Sequence, residues 1–470
     1  MVDMKKVMVV DKGGRGNAIA HAYARSPQVS HVYVAPGNAG SSLLPKCQQV
    51  GIESIDEILN YVQKNDVDLT DVGPEGYLTN GIVDRFYEAG IRRIVGPTKK
   101  AGILEDSKCW AKDFWYKIGV PIPEYKNFDD PDEAKRFISE FYRQNPSENL
   151  VVKADGLAAG KGSIVCNKLE DALSAVDRIM IKGEFDDMER GIKPGRRIVV
   201  EKRLYGCEMM FFVITDGRTI LPLNAAMDFK RAFDPGDSRI IKYFGGVNPN
   251  TGGLISISPH PLYEELKDRI MEEIAIPTLT KFKELTGLEY RGIGYFCLMI
   301  SKEDGELTPR VLEFNKRHGD PEAQAILPRL RTDYYELANA VVERRLHEMT
   351  TEWEPFWCYA LVAVSGNLTV RRGSQDKVYP GYPGAHLTNQ PIKGLRNVDP
   401  SCVVYHNGTA FMDPSKGDED NNIHTTGGRV LTLVSKGKTL EEAKETAERE
   451  MRKIFFRGMR FRKNINEYSI

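Results

Sequence analysis

The chain has 470 residues, with 65 lysines and arginines against 66 aspartates and glutamates, so its formal net charge is −1. That balance offers no basic surface for nucleic acid or an anionic membrane, and the length predicts about three domains. No apolar run is long enough to span a bilayer, and the seven scattered cysteines are typical of a reducing compartment. Because the first ten residues lead into a strand pattern rather than a signal peptide, we expect a cytoplasmic protein.

Strand and helix patterns alternate through the first hundred residues. A strand pattern over 6–10, a glycine turn at 13–16, a helix pattern over 17–25 and a strand pattern over 31–35 form one β-α-β unit. Backbone amides at the start of such a helix attract phosphate. The turn lacks the G-x-G-x-x-G spacing of dinucleotide sites, so a tight turn without a ligand explains it equally well.

Glycine- and proline-rich turns follow two of the strand patterns, at residues 35–38 and 73–75. The carboxyl ends of parallel strands meet at one edge of an open sheet, where such folds bind ligands. Asp71 and Glu75 belong to that edge, where each would hold a ribose hydroxyl or remain a solvated loop carboxylate. The pattern predicts an open parallel α/β domain over residues 1–104.

Residues 149–166 are the most informative stretch of the chain. A strand pattern leads into Lys153, and another returns at residues 163–166. Between them lies a loop with three glycines and a second lysine: Gly156, Gly160, Lys161 and Gly162. Backbone amides of such a loop form an anion nest, yet the spacing is one residue short of a P-loop. The stretch predicts a flexible lid over a nucleotide, with an ordinary glycine-rich hairpin as the alternative.

A short segment then connects two strand patterns. The first strand pattern ends at Glu201, Leu204 lies in the connection, and Glu208 opens the second strand pattern. Free backbone groups in a crossing segment suit an adenine edge, and an acid just beyond a glycine suits a ribose diol. A β-hairpin with exposed charges is the alternative.

Asp228 and Lys230 follow the next strand pattern, and Asn250 opens a further glycine loop that we expect to contact phosphate. Cations beside a carboxylate predict a pocket for an anionic substrate. A solvated turn is the alternative, since most exposed ion pairs carry no function.

Glu313 and Asn315 end a strand pattern with Phe314 between them. Side chains at i and i+2 share one face of a strand, so the two polar side chains present oxygens together. Such a pair suits Mg²⁺, which completes its shell with phosphates and water. Arg317 follows within reach as a carboxylate or phosphate clamp.

The last third of the chain begins with a helix pattern over 333–345 and ends with one over 440–454. Residues 427–429 open a strand pattern that we expect to pack back near the active site. Four cations near the C-terminus predict a solvated positive face rather than a nucleic-acid site: Arg457, Arg460, Arg462 and Lys463.

In this order, the motifs resemble the phosphoribosylamine–glycine ligase (glycinamide ribonucleotide synthetase) family of the ATP-grasp superfamily. The resemblance covers nearly the whole chain and depends most on Val-Lys-Ala-Asp-Gly-Leu-Ala-Ala-Gly-Lys-Gly at 152–162. Shorter motifs are Ala-Pro-Gly-Asn (35–38), Val-Gly-Pro-Glu (72–75), Asn-Thr-Gly-Gly (250–253), Glu-Phe-Asn (313–315), Gly-Asp-Pro-Glu (319–322), Gly-Tyr-Pro-Gly (381–384) and Gly-Gly-Arg-Val-Leu (427–431). The resemblance implies an α/β fold with three parts: the open parallel domain (1–104), a two-lobed ATP-grasp core (105–330) with a mobile lid (about 121–192), and a C-terminal α+β domain (331–470).

The resemblance also implies an ATP-dependent ligase that joins glycine to 5-phosphoribosylamine through an acyl phosphate. Its cofactors would be ATP and Mg²⁺, with Mn²⁺ as an alternative, and its partners small molecules, in a monomer or homodimer. The implied catalytic residues are Asp228, Lys230 and Arg317, and the metal ligands are Glu313 and Asn315. The implied ATP-binding residues are Lys108, Lys153, Gly160, Lys161, Gly162, Glu201, Leu204, Glu208 and Asn250. The implied substrate-binding residues are Gly13, Gly14, Arg15, Gly37, Asn38, Pro74, Glu75 and Asp320.

The chain departs from the family pattern mainly in its substrate motifs. Gly16 and Asn17 replace Glu-His, Phe229 replaces a histidine, and the segment 232–249 is longer than usual. A divergent paralogue that joins a different carboxylate to a different amine is therefore the alternative. Two alternatives come from other functional classes. An NAD(H)-dependent oxidoreductase would leave the lid and the metal pair unexplained. A nucleotide-binding scaffold without turnover would release no ADP.

Overall fold

The computed structural model describes residues 4–157, 162–186, 194–372 and 375–465. Within these ranges, five parallel strands form the predicted N-terminal sheet, in the order β3-β2-β1-β4-β5. The strands are β1 (Lys5–Asp11), β2 (Val29–Pro36), β3 (Cys47–Gln49), β4 (Leu69–Val72) and β5 (Ile94–Val95). The helices are α1 (Gly14–Ala24), α2 (Ile55–Lys64), α3 (Glu75–Thr79) and α4 (Ile82–Glu88).

Strand β1 explains why both faces of this sheet carry helices. Val7 and Val9 are buried in a core that includes residues of α1, whereas Met8 and Val10 are buried in a core that includes residues of α2 and α4. Such continuous apolar strands are typical of parallel sheets covered on both sides. The strand order reverses between β1 and β4, which places the predicted ligand edge at the turns after these strands.

Asp71, at the end of β4, occupies neither of the two environments that the sequence suggested. Its side chain is 2 % exposed, and its Oδ2 accepts hydrogen bonds from the hydroxyls of Tyr23 (2.8 Å) and Tyr334 (3.0 Å). It is therefore a buried acceptor within the scaffold. Burial is the main cause that raises the pKa of Asp71 to about 6.

We expect Asp71→Asn to change how stability depends on pH. Because the folded-state pKa of Asp71 is raised, the native protein binds more protons than the unfolded chain between pH 4 and pH 6. The contribution of this group therefore falls by about 3 kcal/mol as pH rises through that range. Urea unfolding at pH 4.5 and pH 7 should show the variant gaining stability relative to the parent. The exposed Asp66→Asn is the control, and a pH-independent difference for Asp71→Asn would contradict the prediction.

The predicted helix over 104–119 is two helices, α5 (Ile103–Asp106) and α6 (Lys108–Ile118). Ser107 separates them because its backbone is extended and its Oγ accepts a hydrogen bond from the Trp110 amide at 3.1 Å, which is an N-cap of α6. The Asp155 carboxylate lies next to the predicted lid loop (residues 156–162), here called the lid loop. It accepts hydrogen bonds from Ser107 Oγ (2.9 Å) and the Cys109 amide (2.7 Å). The start of α6 is therefore fixed to the base of the lid loop.

Four antiparallel strands in the described part of residues 121–202 form a second sheet, here called the lid sheet, in the order β6-β9-β7-β8. They are β6 (Tyr125–Phe128), β7 (Leu150–Ala154), β8 (Ser163–Cys166) and β9 (Ile198–Lys202), and α7 (Pro131–Gln144) and α8 (Leu169–Val176) pack against them. Strands β7 and β8 pair from Leu150–Cys166 to Lys153–Ser163 on either side of the predicted loop. Gly160 and Lys161 lie outside the described residues.

The described residues also contain a nine-stranded antiparallel sheet, in the order β14-β13-β10-β11-β12-β15-β21-β18, with β22 paired to β15. Its strands are β10 (Cys207–Thr215), β11 (Ile220–Arg231), β12 (Asn250–Ser258), β13 (Gly292–Glu303), β14 (Glu306–Asn315), β15 (Trp357–Ser365), β18 (Val403–His406), β21 (Arg429–Gly437) and β22 (Met459–Arg460). Two hairpins lie beside it, formed by β16 (Leu368–Arg372) with β17 (Gln375–Tyr379) and by β19 (Thr409–Phe411) with β20 (Ile423–Thr425). The helices are α9 (Ser238–Phe244), α10 (Tyr263–Ile270), α11 (Ile276–Thr286), α12 (Glu322–Ile326), α13 (Tyr334–Glu343) and α14 (Leu440–Met451).

This sheet crosses the predicted boundary at residue 330, because β12 pairs with β15. The three-domain division stays a prediction. Strand β10 is buried on both faces: Met209, Phe211 and Val213 lie in one core, and Met210 and Phe212 in another. In the described part of the chain, no helix is both long and apolar enough to cross a membrane.

Two predicted loops are strand ends. Asp228 and Lys230 belong to β11 rather than following it, and residues 250–253 open β12. Residues 250–253 were predicted to be a loop because of their glycines. A Cβ at Gly253 would lie 2.4 Å from the Pro321 ring, so glycine is required there by close packing and not by a loop. The hairpin alternative for residues 197–215 is also wrong, because β9 belongs to the lid sheet and β10 to the nine-stranded sheet. The predicted crossing segment is confirmed.

The C-terminal arginines are only partly solvated. Arg462 is 1 % exposed, and its Nη1 donates to the Arg231 carbonyl at 3.1 Å. Arg460 Nη2 donates to the Tyr382 carbonyl at 2.9 Å, whereas Arg457 is exposed. The predicted solvated face is wrong for Arg460 and Arg462, because backbone carbonyls distant in sequence accept their hydrogen bonds.

Candidate active site

A cleft of about 690 Å³ is lined by residues of the N-terminal sheet region, the lid sheet and the nine-stranded sheet. It brings together fifteen residues predicted from the sequence: Arg15, Glu75, Lys108, Lys153, Gly162, Glu201, Leu204, Glu208, Asp228, Lys230, Asn250, Glu313, Asn315, Arg317 and Asp320. The predicted sites therefore converge on one place.

Five predicted substrate residues lie outside the lining of this cleft: Gly13, Gly14, Gly37, Asn38 and Pro74. The side chain of Asn38 is already used by the scaffold. Its Nδ2 donates to the carbonyls of Lys12 (2.9 Å) and His406 (2.6 Å), and its Oδ1 accepts from the Ser41 amide (3.2 Å). In this structure Asn38 therefore holds the turn after β2.

The lid side of the cleft contains three cations. Lys153, on β7, forms an ion pair with Glu201 Oε1 on β9, and Lys112 Nζ lies 2.8 Å from the other oxygen of the same carboxylate. Lys108 Nζ donates to the Gly156 carbonyl at 3.4 Å, at the base of the lid loop. The sequence prediction missed Lys112, whose partner Glu201 is distant in sequence.

The predicted metal pair lies on one face of β14, as expected. Phe314 is 2 % exposed and buried in the core, while Glu313 and Asn315 line the cleft. Burial alone would raise the pKa of Glu313, but Lys108, Lys230 and other nearby cations lower it below its ordinary value. The carboxylate is therefore ionised at neutral pH.

These residues fit a hard divalent cation. The Asn315 Nδ2 is buried without a hydrogen-bond partner, and since amide oxygen and nitrogen are interchangeable by a flip, an oxygen can take its place. Among the described residues, no group of three or more His, Cys, Asp and Glu side chains is arranged to bind a metal. A cation held by Glu313 and Asn315 would thus take its other ligands from phosphate and water, as Mg²⁺ prefers.

Two buried carboxylates also line the cleft. Asp228 is 2 % exposed and Glu322 is 3 % exposed. Burial, followed by the charge of Glu322, raises the pKa of Asp228 well above its ordinary value, and burial also raises the pKa of Glu322. Lys230 Nζ lies beside them and donates to Glu208 Oε2 at 3.1 Å. Glu208, predicted to hold a ribose, is thus paired with a cation here.

Arg317 connects three parts of the chain. Its Nε donates to Glu75 Oε2 at 2.9 Å, its Nη1 donates to the Tyr295 hydroxyl at 3.2 Å, and its Nη2 lies 3.4 Å from Glu105 Oε1. The Arg317 charge is the largest cause that lowers the pKa of Glu75 to about 2. Arg429, at the start of β21, also lines the cleft, which confirms that this strand packs back on the site.

Family models match most of the chain. The phosphoribosylglycinamide synthetase N domain matches residues 5–105, the ATP-grasp (A) domain residues 106–323 and the C domain residues 377–467. Phosphoribosylamine–glycine ligase of Archaeoglobus fulgidus is 46% identical over 490 residues, which cover 98% of this chain and 98% of that protein. The ligase of the same name from Caldanaerobacter subterraneus is 38% identical and covers 98% of this chain and 99% of that protein.

The chain belongs to the phosphoribosylglycinamide synthetase family.

Solved structures agree with this assignment. Phosphoribosylamine–glycine ligase from Thermotoga maritima has a TM-score of 0.74 at 25% identity, covering 97% of this chain and 99% of that one. The biotin carboxylase domain of the Hydrogenobacter thermophilus 2-oxoglutarate carboxylase, solved with MgADP, ADP and bicarbonate, has a TM-score of 0.68 at 14% identity, covering 97% of this chain and 91% of that one. The second likeness concerns the fold alone. The predicted α/β ATP-grasp fold is confirmed.

The departures from the family pattern at positions 16, 17 and 229 lie off the cleft lining. Asn17 Oδ1 accepts from the His406 amide at 2.9 Å, so this side chain joins α1 to β18. A Cβ on Gly16 would lie 2.5 Å from Asp11 Cβ, so a larger residue does not fit there without a shift. Phe229 is buried in the core on the opposite face of β11 from Asp228 and Lys230.

Lys153 is predicted to contact an ATP phosphate, and hydrogen bonds to charged groups are among the stronger types. We therefore expect Lys153→Ala to weaken ATP binding at least about tenfold. Isothermal titration with ATP measures the effect. Lys168→Ala is the control. Lys168 lies just after β8, the strand that follows the lid loop, and its side chain is 66% exposed, so its removal should not affect the cleft. Unaltered ATP affinity in Lys153→Ala would show that the lid loop has another purpose.

Proposed function

We propose that the chain joins glycine to 5-phosphoribosylamine, with ATP as the energy source, and gives glycinamide ribonucleotide, ADP and phosphate. The observation that carries this proposal is the cleft. It combines the lid lysines, the pair formed by the ionised Glu313 carboxylate and the Asn315 amide, and two buried carboxylates in a chain that covers 98% of its Archaeoglobus fulgidus relative. The departures that suggested another substrate lie off its lining, which supports the family reaction over a paralogue with different substrates.

We propose that Glu313 and Asn315 hold Mg²⁺, and Mn²⁺ would find the same oxygen ligands there. When bound, the metal ion supplies positive charge to the phosphates during transfer. Lys108 and Lys153 supply further charge from the lid side, and they are fixed in place before the reaction by the contacts described above. Preorganised cations of this kind stabilise the charge that develops in the transition state.

The chemistry requires an activated carboxylate, because oxide is too poor a leaving group for an amine to displace. Transfer of the γ-phosphate to the glycine carboxylate gives an acyl phosphate, and ADP leaves. The amine then forms the C–N bond while the C–O bond to phosphate breaks and phosphate departs with its electron pair. Arg317 and Lys230 would hold the glycine carboxylate before transfer and the departing phosphate afterwards, both of which are anionic.

The amine loses a proton during this step, and Asp228 with Glu322 is suited to take it. Their raised pKa values make the pair a stronger base than a solvated carboxylate. Arg15 and Glu75 would face the phosphoribosylamine from the N-terminal sheet. Closure of the lid loop would keep water from the acyl phosphate. The protein would act as a monomer or a homodimer on small molecules alone.

The decisive experiment measures ADP release with Mg-ATP, glycine and freshly made phosphoribosylamine, each omitted in turn. The proposal expects turnover only with all three, and a product with the mass of glycinamide ribonucleotide. Absence of turnover in protein that still binds ATP would contradict it. A panel of amines and carboxylates would then identify the substrates of a divergent paralogue.

A further inference from the structure

Lys112, Glu201 and Lys153 form a buried group of charges, here called the ion triad. Their exposed fractions are 1%, 2% and 5%, respectively. Each oxygen of the Glu201 carboxylate faces one lysine. Lys112 belongs to α6, whereas Glu201 and Lys153 belong to the lid sheet, so the triad joins α6 to the lid sheet where both line the cleft.

A β-bulge in β14 supplies two backbone carbonyls that accept hydrogen bonds from the lysines of the triad. Cys297 pairs with Glu313 and Leu298 with Val311, so Leu312 is an extra residue in β14. Bulges interrupt the ladder and leave backbone groups free for other partners. Lys112 Nζ donates to the Val311 carbonyl at 3.2 Å, and Lys153 Nζ donates to the Leu312 carbonyl at 3.3 Å.

The ion triad has two positive charges and one negative charge. Burial makes an uncompensated charge costly, so this excess favours anions close by. The charge of Glu313 acts on both lysines and compensates part of it, and a phosphate would supply more. Lys153 faces the part of the cleft where the ATP phosphates are proposed to lie. Lys112 borders the same cleft but is 1% exposed, and its Nζ is directed at Glu201 and the Val311 carbonyl. If Glu201 were paired with Lys153 alone, the two charges would cancel, and Lys153 would attract phosphate less.

We propose that Lys112 is a positioning residue that acts through Glu201: it neutralises this carboxylate and so leaves the charge of Lys153 available to the ATP phosphates. The inference rests on the proposed function, because it assumes that ATP occupies the cleft. It also explains why a buried lysine is directed at Glu201 and the Val311 carbonyl. Its consequence is selectivity for the phosphates rather than for the nucleoside.

The test compares binding of ATP and adenosine by calorimetry in four proteins: the parent, Lys112→Met, Lys112→Met/Glu201→Gln, and Lys117→Met. Lys117 is an exposed lysine on the same helix and serves as the control. Lys112→Met should weaken ATP binding at least about tenfold and leave adenosine binding within about twofold. The double variant removes the cancelling carboxylate as well, so its ATP affinity should return to within about threefold of the parent.

A purely structural role for Lys112 would weaken ATP and adenosine binding together, and the double variant would then bind ATP no better than the single one. Either result would overturn the inference. If Lys112→Met does not fold, the double variant alone tests the inference. A preference for ATP over adenosine equal to that of the parent would support the inference, and loss of this preference would overturn it. A parent protein that binds no ATP would overturn the proposed function and the inference with it. Normal ATP binding by the parent with an unchanged Lys112→Met would overturn the inference alone.

Discussion

Glu313→Gln is expected to abolish ADP formation and to leave the melting temperature nearly unchanged. The substitution keeps the size of the side chain but removes the charge that would hold the cation. Loss of a metal contact of several kcal/mol corresponds to a fall in kcat of about 10³-fold or more. Glu313 lines the cleft rather than the core, and the amide has nearly the same shape, so core packing is retained. Coupled ADP assays and thermal melts measure the two effects.

Glu306→Gln is the control, because Glu306 is exposed on the same strand. It should turn over at the parent rate. Normal turnover in Glu313→Gln would remove the metal assignment, and a large fall in melting temperature would show that Glu313 has a structural role instead.

Local sequence patterns were sufficient where one short segment defines the geometry. The alternation of Glu313, Phe314 and Asn315 predicted both the shared face of the two polar side chains and the buried ring, because side-chain direction along a strand depends only on neighbouring residues. That this face binds a metal stays a prediction. The two strands that flank the lid loop were predictable from their local patterns as well. The family motifs then supplied the order of the parts along the chain.

The missed features depend on contacts between residues distant in sequence. In the sequence, Lys112 cannot be distinguished from any other helix lysine. Only the structure shows that Glu201, on the lid sheet, lies beside it and that Lys112 is buried in the ion triad. In the sequence, Arg462 resembles a solvated residue of the tail. In the structure it donates a hydrogen bond to the carbonyl of Arg231, which is distant in sequence. Asn250 was assigned to a loop because glycines follow it, whereas those glycines open a strand.

Arg317→Met is expected to lower both stability and activity. Arg317 is 15% exposed at its side chain, and its removal leaves Glu75 and Glu105 without the cation that both approach. Loss of one partner from a buried charge network typically costs about 3–5 kcal/mol, because the remaining charges stay desolvated. The melting temperature should therefore fall clearly, and ADP formation should fall with the loss of the clamp on the acyl group.

The double variant Arg317→Met/Glu75→Gln separates the two effects. It removes one of the stranded carboxylates, so part of the melting temperature should return while ADP formation stays low. Arg331→Met is the control, because Arg331 also approaches two carboxylates, those of Glu352 and Glu354, but its side chain is 57% exposed. Exposed pairs contribute little, and this variant should match the parent in both assays. If activity returned together with stability in the double variant, Arg317 would be a structural residue rather than a clamp on the substrate.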